Sequence, residues 1–192
     1  MNYSSPLLQP LYPSTVSLHH SFSRKDRLPL RSDCLWKIES GSVRTLTWDD
    51  EGSVATLGFW GAGEIIGHAL SRVQPYQVEC LSAVKVCEVS ISSGLQDLTL
   101  SYAQRTEELL SILQGRYVPA RLLQLLEWLA HRFGRTVRQG KLIDLRLTHQ
   151  EIAETIGTSR VTITRLLGQF EQEGRLCRLG PHFVLPIEVA SS

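Results

Sequence analysis

Residues 148–170 read THQEIAETIGTSRVTITRLLGQF. Ile152, Ala153, Ile156, Gly157, Ile163 and Leu166 fall where two helices crossing at a steep angle need small or apolar residues. Ala153 is small enough for the second helix to cross it. Gly157 sits where a short turn needs a left-handed backbone, which glycine adopts without steric cost. Thr148 and Glu151 have the spacing of a capping box, and Ser159 can cap the second helix. The stretch therefore predicts a helix-turn-helix. Arg160, Val161, Thr162, Thr164 and Arg165 are left off its apolar face, free to meet DNA. Thr148, His149 and Ser159, at the helix starts, are candidates for the DNA backbone.

Outward from this motif, Gly174 and Gly180 flank RLCRL (175–179), and HFVLPI (182–187) follows. Two strands joined at Gly180–Pro181 predict a wing. On the other side, Pro119 suits the first turn of a Leu-rich helix over 120–132, ending near Gly134. A short strand is expected over 142–147. Leu98, Tyr102, Thr106, Leu109 and Leu113 step by three and four, so 95–117 predicts a helix with one apolar stripe. That stripe could face the preceding strands or a second copy of the chain. Between Leu28 and Ile91 short alternating runs appear: LWKI (35–38), SVRTLTW (42–48), SVATLGFW (53–60) and YQVECLSAVKVCEVSI (76–91). DDEG (49–52) reads as a hairpin turn with Gly52 at positive φ. Many short strands with glycine turns predict an antiparallel barrel or sandwich. Met1 to Phe22, dotted with Pro6, Pro10 and Pro13, predicts an arm with little regular structure.

Composition bounds what such a chain can do. Of its 192 residues 42% are hydrophobic, enough for a real core. The net charge is +1, but it is uneven: 118–192 holds ten Lys/Arg against seven Asp/Glu, the rest ten against twelve. The basic half carries the helix-turn-helix, as phosphate binding requires. Cys34, Cys80, Cys87 and Cys177 show no CxxC spacing, and His68, His131 and His149 stand alone, so no metal site is predicted. Cys80 and Cys87 read as core residues. No nucleophile elbow, HExxH, P-loop or paired-carboxylate motif appears, so an enzyme is not expected. The sequence shows neither a signal peptide nor the roughly 20 apolar residues of a membrane span, which predicts a cytoplasmic protein.

The order of strands, long helix and winged helix-turn-helix resembles the CRP/FNR family of bacterial transcription regulators, from about Leu28 to the C-terminus. LWKIESGSVRTLTWDDEGSVATLGFWGAGEIIG (35–67) is similar to the family's cyclic-nucleotide-binding roll. LTHQEIAETIGTSRVTITRLLGQFEQEGRL (147–176) is similar to its DNA-binding signature. The resemblance implies an α+β fold: an arm (1–22), an antiparallel β-roll (23–94), a dimerisation helix (95–117) and a winged helix-turn-helix (118–192). It implies a homodimer that sets two recognition helices one DNA turn apart, about 34 Å. Arg160 and Arg165 match the family's DNA-reading arginines, for which guanine O6 and N7 are the usual acceptors. Val161 stands where the catabolite-activator branch has a glutamate. SRVTITRLLG (159–168) is close to the recognition helix of the cyanobacterial nitrogen regulators of NtcA type, which implies a GTA…TAC palindrome.

The effector is less legible. Cyclic-AMP-binding members keep a glutamate after the roll glycine and an Arg-Ser pair further on; here His68 follows Gly67 and Gln74–Pro75 replace the pair. Tyr102 stands where the nitrogen regulators need an arginine for 2-oxoglutarate. RKDRLPLRSD (24–33) offers another site. Arg24, Lys25, Arg27 and Arg31 could meet phosphates or fork onto guanine, and Asp33 could accept from guanine N–H groups. The RxxxR and RxD spacings resemble elements of cyclic di-GMP receptors. No other cofactor is implied. The alternative for this stretch is a solvated charged face or a contact to the DNA backbone. If it did bind the nucleotide, the chain could also act as an adaptor through another regulator of the same family.

Overall fold

The computed structural model describes residues 19–91 and 95–186. Seven strands come first: β1 His19–Phe22, β2 Cys34–Ser40, β3 Val43–Trp48, β4 Val54–Trp60, β5 Ile65–Ile66, β6 Gln77–Cys80 and β7 Val84–Ser90. They form two antiparallel sheets, in the orders β1-β7-β2-β5 and β4-β3-β6. Side chains alternate across a strand, so the sheets bury Trp36, Ile38, Val43, Trp60, Ile66, Val78, Cys80, Val84 and Val86 between them. Gly52 closes the β3–β4 hairpin with φ 80°, where the DDEG pattern predicts it. Asp49 holds that turn by accepting the amides of Glu51 and Ser53.

Helix α1 (Gln96–Leu113) lies on the roll. Tyr102 stacks on Trp60, ring centroids 4.2 Å apart and planes 1° from parallel. Leu109 is buried, and Ile112 and Leu113 pack beside it. Thr106 is exposed, whereas the half-buried Arg105 occupies the inner stripe. The Thr106 hydroxyl turns back to the Tyr102 carbonyl, 2.9 Å away, so it needs no place in the core.

Helix α2 (Val118–Phe133) follows, with proline in its first turn and Leu122, Leu125, Leu126, Leu129 and Ala130 on its buried face. Then come β8 (Gly134–Val137), β9 (Gly140–Ile143), α3 (His149–Ile156), α4 (Arg160–Gln172), β10 (Cys177–Leu179) and β11 (His182–Pro186). The four strands form one antiparallel sheet, β10-β11-β9-β8. A single apolar core joins these elements to the roll: Phe59 and Leu81 pack with Leu109 of α1 and with the leucines of α2. Arg132 of α2 ties the same junction, donating to the Phe59 carbonyl at 2.8 Å and pairing with Glu64.

The architecture is the predicted one: an antiparallel roll, a long helix and a winged helix-turn-helix, mixed α and β. Four local expectations are corrected. His19–Phe22, expected to be part of an irregular arm, is an edge strand paired with β7; residues 1–18 of that arm lie outside the described residues. β8 is a strand the sequence reading missed. The strand expected over 142–147 spans Gly140–Ile143 instead. Leu145 and Leu147 do alternate into the core, but the chain leaves the sheet at Asp144, whose amide bonds the Phe133 carbonyl. The wing strand starts at Cys177 rather than Arg175, because the amides of Arg175 and Leu176 satisfy the Phe170 carbonyl at the end of α4.

Candidate nucleic-acid interface

Helices α3 and α4 are fixed by a shared core. Ile152, Ala153 and Ile156 meet Ile163, Leu166, Leu167 and Phe170 over the leucines of α2. The Thr148 hydroxyl accepts the Glu151 amide at 3.2 Å, and the Glu151 carboxylate accepts the Thr148 amide at 2.6 Å. That reciprocal pair starts α3. Gly157 ends it in the left-handed region, φ 67°. The Ser159 hydroxyl then accepts the Thr162 amide at 3.1 Å and starts α4. Each step is the one that the quoted stretch predicts.

These constraints decide which side chains remain outside. Arg160, Val161, Thr164 and Arg165 are exposed, and Val161 is 78% exposed between the two arginines. Neither arginine takes part in an ion pair among the described residues. Thr162 and His149 are half-buried, and Thr148 and Ser159 are exposed at the helix starts.

The rim of this face is organised by a residue the sequence reading missed. Arg178, on wing strand β10, pairs with Glu171 of α4 and lies over the Phe183 ring, 5.1 Å from its centroid. It also approaches His149 Nε2 at 3.4 Å. His149 Nδ1 meets the Thr164 hydroxyl at 2.8 Å, and that hydroxyl donates to the Arg160 carbonyl. Burial first, then Arg178 and Arg160, hold the His149 imidazole below its ordinary range. The ring is therefore neutral near pH 7 and ties the start of α3 to α4 and the wing. The only sequence signal for Arg178 was its place in RLCRL, which reads as a strand and not as a site.

The basic stretch 24–33 behaves differently: its five candidate residues do not converge. Arg24 donates to the carbonyls of Leu81 and Arg146, each at 3.0 Å. Lys25 has φ 75°, the only non-glycine with positive φ among the described residues. Its ammonium contacts Glu151 at 2.5 Å and Glu79 at 3.1 Å. Arg27 bridges by its backbone to Glu79 and lines a cleft of about 300 Å³ with Arg44, Trp48, Gln77 and Glu154. Arg31 turns away to pair with Asp33 at 2.7 Å and with Glu88. Arg24 and Lys25 thus reach the helix-turn-helix, while Arg31 and Asp33 sit on another face of the roll.

Glu151 is the meeting point. Burial opposes its ionisation, but Lys25, the Thr148 amide and Arg44 outweigh burial and hold the carboxyl below the ordinary range. Arg44, nearly fully buried, joins Glu79 at 3.2 Å to Glu154 of α3 at 2.7 Å. The sequence reading missed this pair, since 110 residues separate its members.

Among the described residues no group of three His, Cys, Asp or Glu side chains converges as a metal site. Cys34, Cys80 and Cys87 are buried thiols; burial pushes Cys80 up to about 12, which leaves it unreactive. No helix of the described residues is long and apolar enough to cross a membrane.

A winged helix-turn-helix with an open, arginine-bearing second helix, carried by a β-roll and a long helix, defines a DNA-binding regulator. Residues 120–186 match the family described as Crp-like helix-turn-helix domain. The chain is 46% identical to the regulatory protein CysR of Synechococcus elongatus over 180 residues, 91% of this chain and 87% of that protein. It is 44% identical over 69 residues to the global nitrogen regulator of Nostoc sp., covering 36% of this chain and 31% of that one. The fold is shared with a CRP-family transcriptional regulator of Thermus thermophilus, at a TM-score of 0.75 and 23% identity, covering 89% and 93% of the two chains. The chain belongs to the CRP/FNR family of transcription regulators; it binds DNA through its helix-turn-helix and is not an enzyme.

Proposed function

We propose that the protein works in the cytoplasm as a homodimer that reads a palindrome of the GTA…TAC type. Arg160 and Arg165 would each fork onto a guanine, and Val161 would meet a thymine methyl. Thr148, His149, Ser159, Thr162 and Thr164 would contact phosphates and fix the register. The observation that carries this reading is the exposure of Arg160, Val161, Thr164 and Arg165 on a helix whose other face is fully packed. Dimerisation through α1 is supported by its outer face, where Leu100 and Leu110 are 59% and 54% exposed at a ten-residue spacing. Two copies of that face would cover each other's leucines. Binding of Arg160→Ala and Arg165→Ala proteins to a GTA…TAC duplex and to a scrambled one tests the assignment. Each substitution is expected to weaken the specific duplex more than the scrambled one, and equal losses on both duplexes would contradict base reading.

We infer that the input is a small anionic effector, with cyclic di-GMP the candidate that the chemistry of residues 24–33 favours; within that stretch Arg27 borders a cleft, while Arg24, Lys25 and Arg31 are held by groups of the same chain. Support comes from Arg27 and the exposed indole of Trp48, which line one cleft, since guanidinium and aromatic planes both stack on purines. Calorimetry with cyclic di-GMP, cyclic AMP and 2-oxoglutarate, on the parent and on Arg27→Ala/Arg31→Ala, decides it. Unchanged cyclic di-GMP binding by the variant contradicts this site. Purified protein that binds cyclic di-GMP but no duplex, and co-purifies with a second family regulator, would make it an adaptor instead.

A further inference from the structure

We propose that His149 is a positioning residue for Arg178, and that Arg178 is a phosphate-binding cation which the wing brings to the DNA interface. This role rests on the DNA-binding reading above. It adds a residue from outside the helix-turn-helix and names the ring that aims it.

Arg178 is held by its neighbours and open beyond them. Its Nε donates to Glu171 of α4 at 2.5 Å, and one Nη2 N–H points to His149 Nε2 at 3.4 Å. Its plane lies over the Phe183 ring. The side chain is still 43% exposed. A guanidinium donates from all its nitrogens and accepts at none, so Nη1 is left over as a fork of the shape a phosphate takes. Strand β10 is three residues long and lies at the edge of its sheet, with backbone pairing on one side only. The direction of that fork therefore depends on the contacts to Glu171 and His149.

The same geometry dictates the state of the His149 ring. Arg178 cannot accept, so Nε2 must offer its lone pair and the ring proton sits on Nδ1. From there it donates to the Thr164 hydroxyl at 2.8 Å, and that hydroxyl donates to the Arg160 carbonyl at 2.9 Å. Both ring nitrogens are occupied. A phosphate contact by His149 then falls to its main-chain N–H in the first turn of α3, which has no intrahelical acceptor. A proton on Nε2 ends the arrangement: the ring can no longer accept, and two cations face each other. The charged groups facing the ring are Arg178 from β10, with Arg160 and Glu171 from α4; burial and the two arginines outweigh Glu171, so the ring takes up that proton only below its ordinary value of 6.5. A histidine ring that met a phosphate directly would tighten DNA binding as it became charged. A ring that holds Arg178 as an acceptor gives the opposite sign.

Duplex affinity would be measured at fixed salt between about pH 8 and about pH 5.5. The proteins are the full-length parent, His149→Gln, His149→Ala, Arg178→Ala and His149→Ala/Arg178→Ala. Phosphate contacts carry no sequence information, so a GTA…TAC duplex and a scrambled one both report on Arg178, whatever α4 reads. Arg178→Ala is expected to weaken binding roughly fivefold and to lower the salt slope by about one. His149→Ala should show most of the same loss, with little added in the double variant. Glutamine can place an amide near the position of Nε2 and does not titrate, so His149→Gln should recover most of the loss and lack the additional weakening that the parent shows in acid. Losses that simply add in the double variant overturn the proposal, as does a parent that tightens in acid relative to His149→Gln. Nitrogen-15 NMR of the DNA-free protein reads the tautomer directly: a proton on Nδ1 near neutral pH is expected, and a proton on Nε2 instead overturns the proposal without reference to DNA. The tautomer and the His149→Gln comparison decide the matter even where an alanine variant does not fold.

Discussion

Two arginine-rich regions of this chain look alike in sequence and differ in structure. On α4, Arg160 and Arg165 stand free above a packed helix, without an ion-pair partner among the described residues. In the stretch 24–33, Arg24, Lys25 and Arg31 are each engaged by carbonyls or carboxylates of the same chain. The first region has kept its cations for something outside the molecule. The second has spent part of its charge on α3. A guanidinium in a sequence carries no mark of whether it is engaged; its neighbours across the fold decide that.

Substitutions in either region test this difference. The largest effect belongs to the core that keeps α4 rigid. Phe170→Ala should cost about 3–5 kcal/mol of stability, read by thermal or denaturant unfolding, with specific DNA binding lost in parallel. If stability falls while specific binding survives, the packing of α4 does not position its arginines. Next come the arginines themselves: Arg160→Ala or Arg165→Ala should each remove roughly 1–3 kcal/mol of specific binding and leave the melting temperature almost unmoved. Arg178→Ala should instead weaken specific and scrambled duplexes alike, because its reach is to the rim of the face; discrimination lost at one base pair would give it a reading role.

Smaller effects follow. Ser159→Ala should destabilise by about 1 kcal/mol through the lost helix cap, with a matching loss of order at the start of α4. Glu151 gives a pH signature. Its carboxyl lies below the ordinary value of 4.5. A depressed native pKa means that its stabilisation is complete above the ordinary range and fades as pH falls through the lower native value. Melting temperature should therefore drop more steeply in acid for the parent than for Lys25→Gln, which has lost the partner. Parallel curves would mean that Lys25 does not hold the Glu151 charge.

Much of this was legible in the sequence, and the reasons are local. The helix-turn-helix is specified within 23 residues by caps, a turn glycine and a 3.6-residue period, so its buried and open faces follow from spacing alone. Gly52 announced its hairpin in the same way. Arg44–Glu154 and Lys25–Glu151 were not legible, because each pair joins residues over a hundred positions apart. β1 was hidden for a related reason: His19–Phe22 has no strong alternation of its own and becomes a strand only by pairing with β7. In the effector region the same limit applied, since RxxxR spacing describes neighbours along the chain while Arg27 and Arg31 diverge in the fold.

The most direct measurement is duplex affinity, at one salt concentration, for four single variants of the full-length protein: Arg160→Ala, Arg165→Ala, Arg24→Ala and Lys25→Ala. The two α4 changes should weaken specific binding, and the two roll changes should leave it unchanged. Weakening by all four to a similar extent would contradict the division between free and engaged cations.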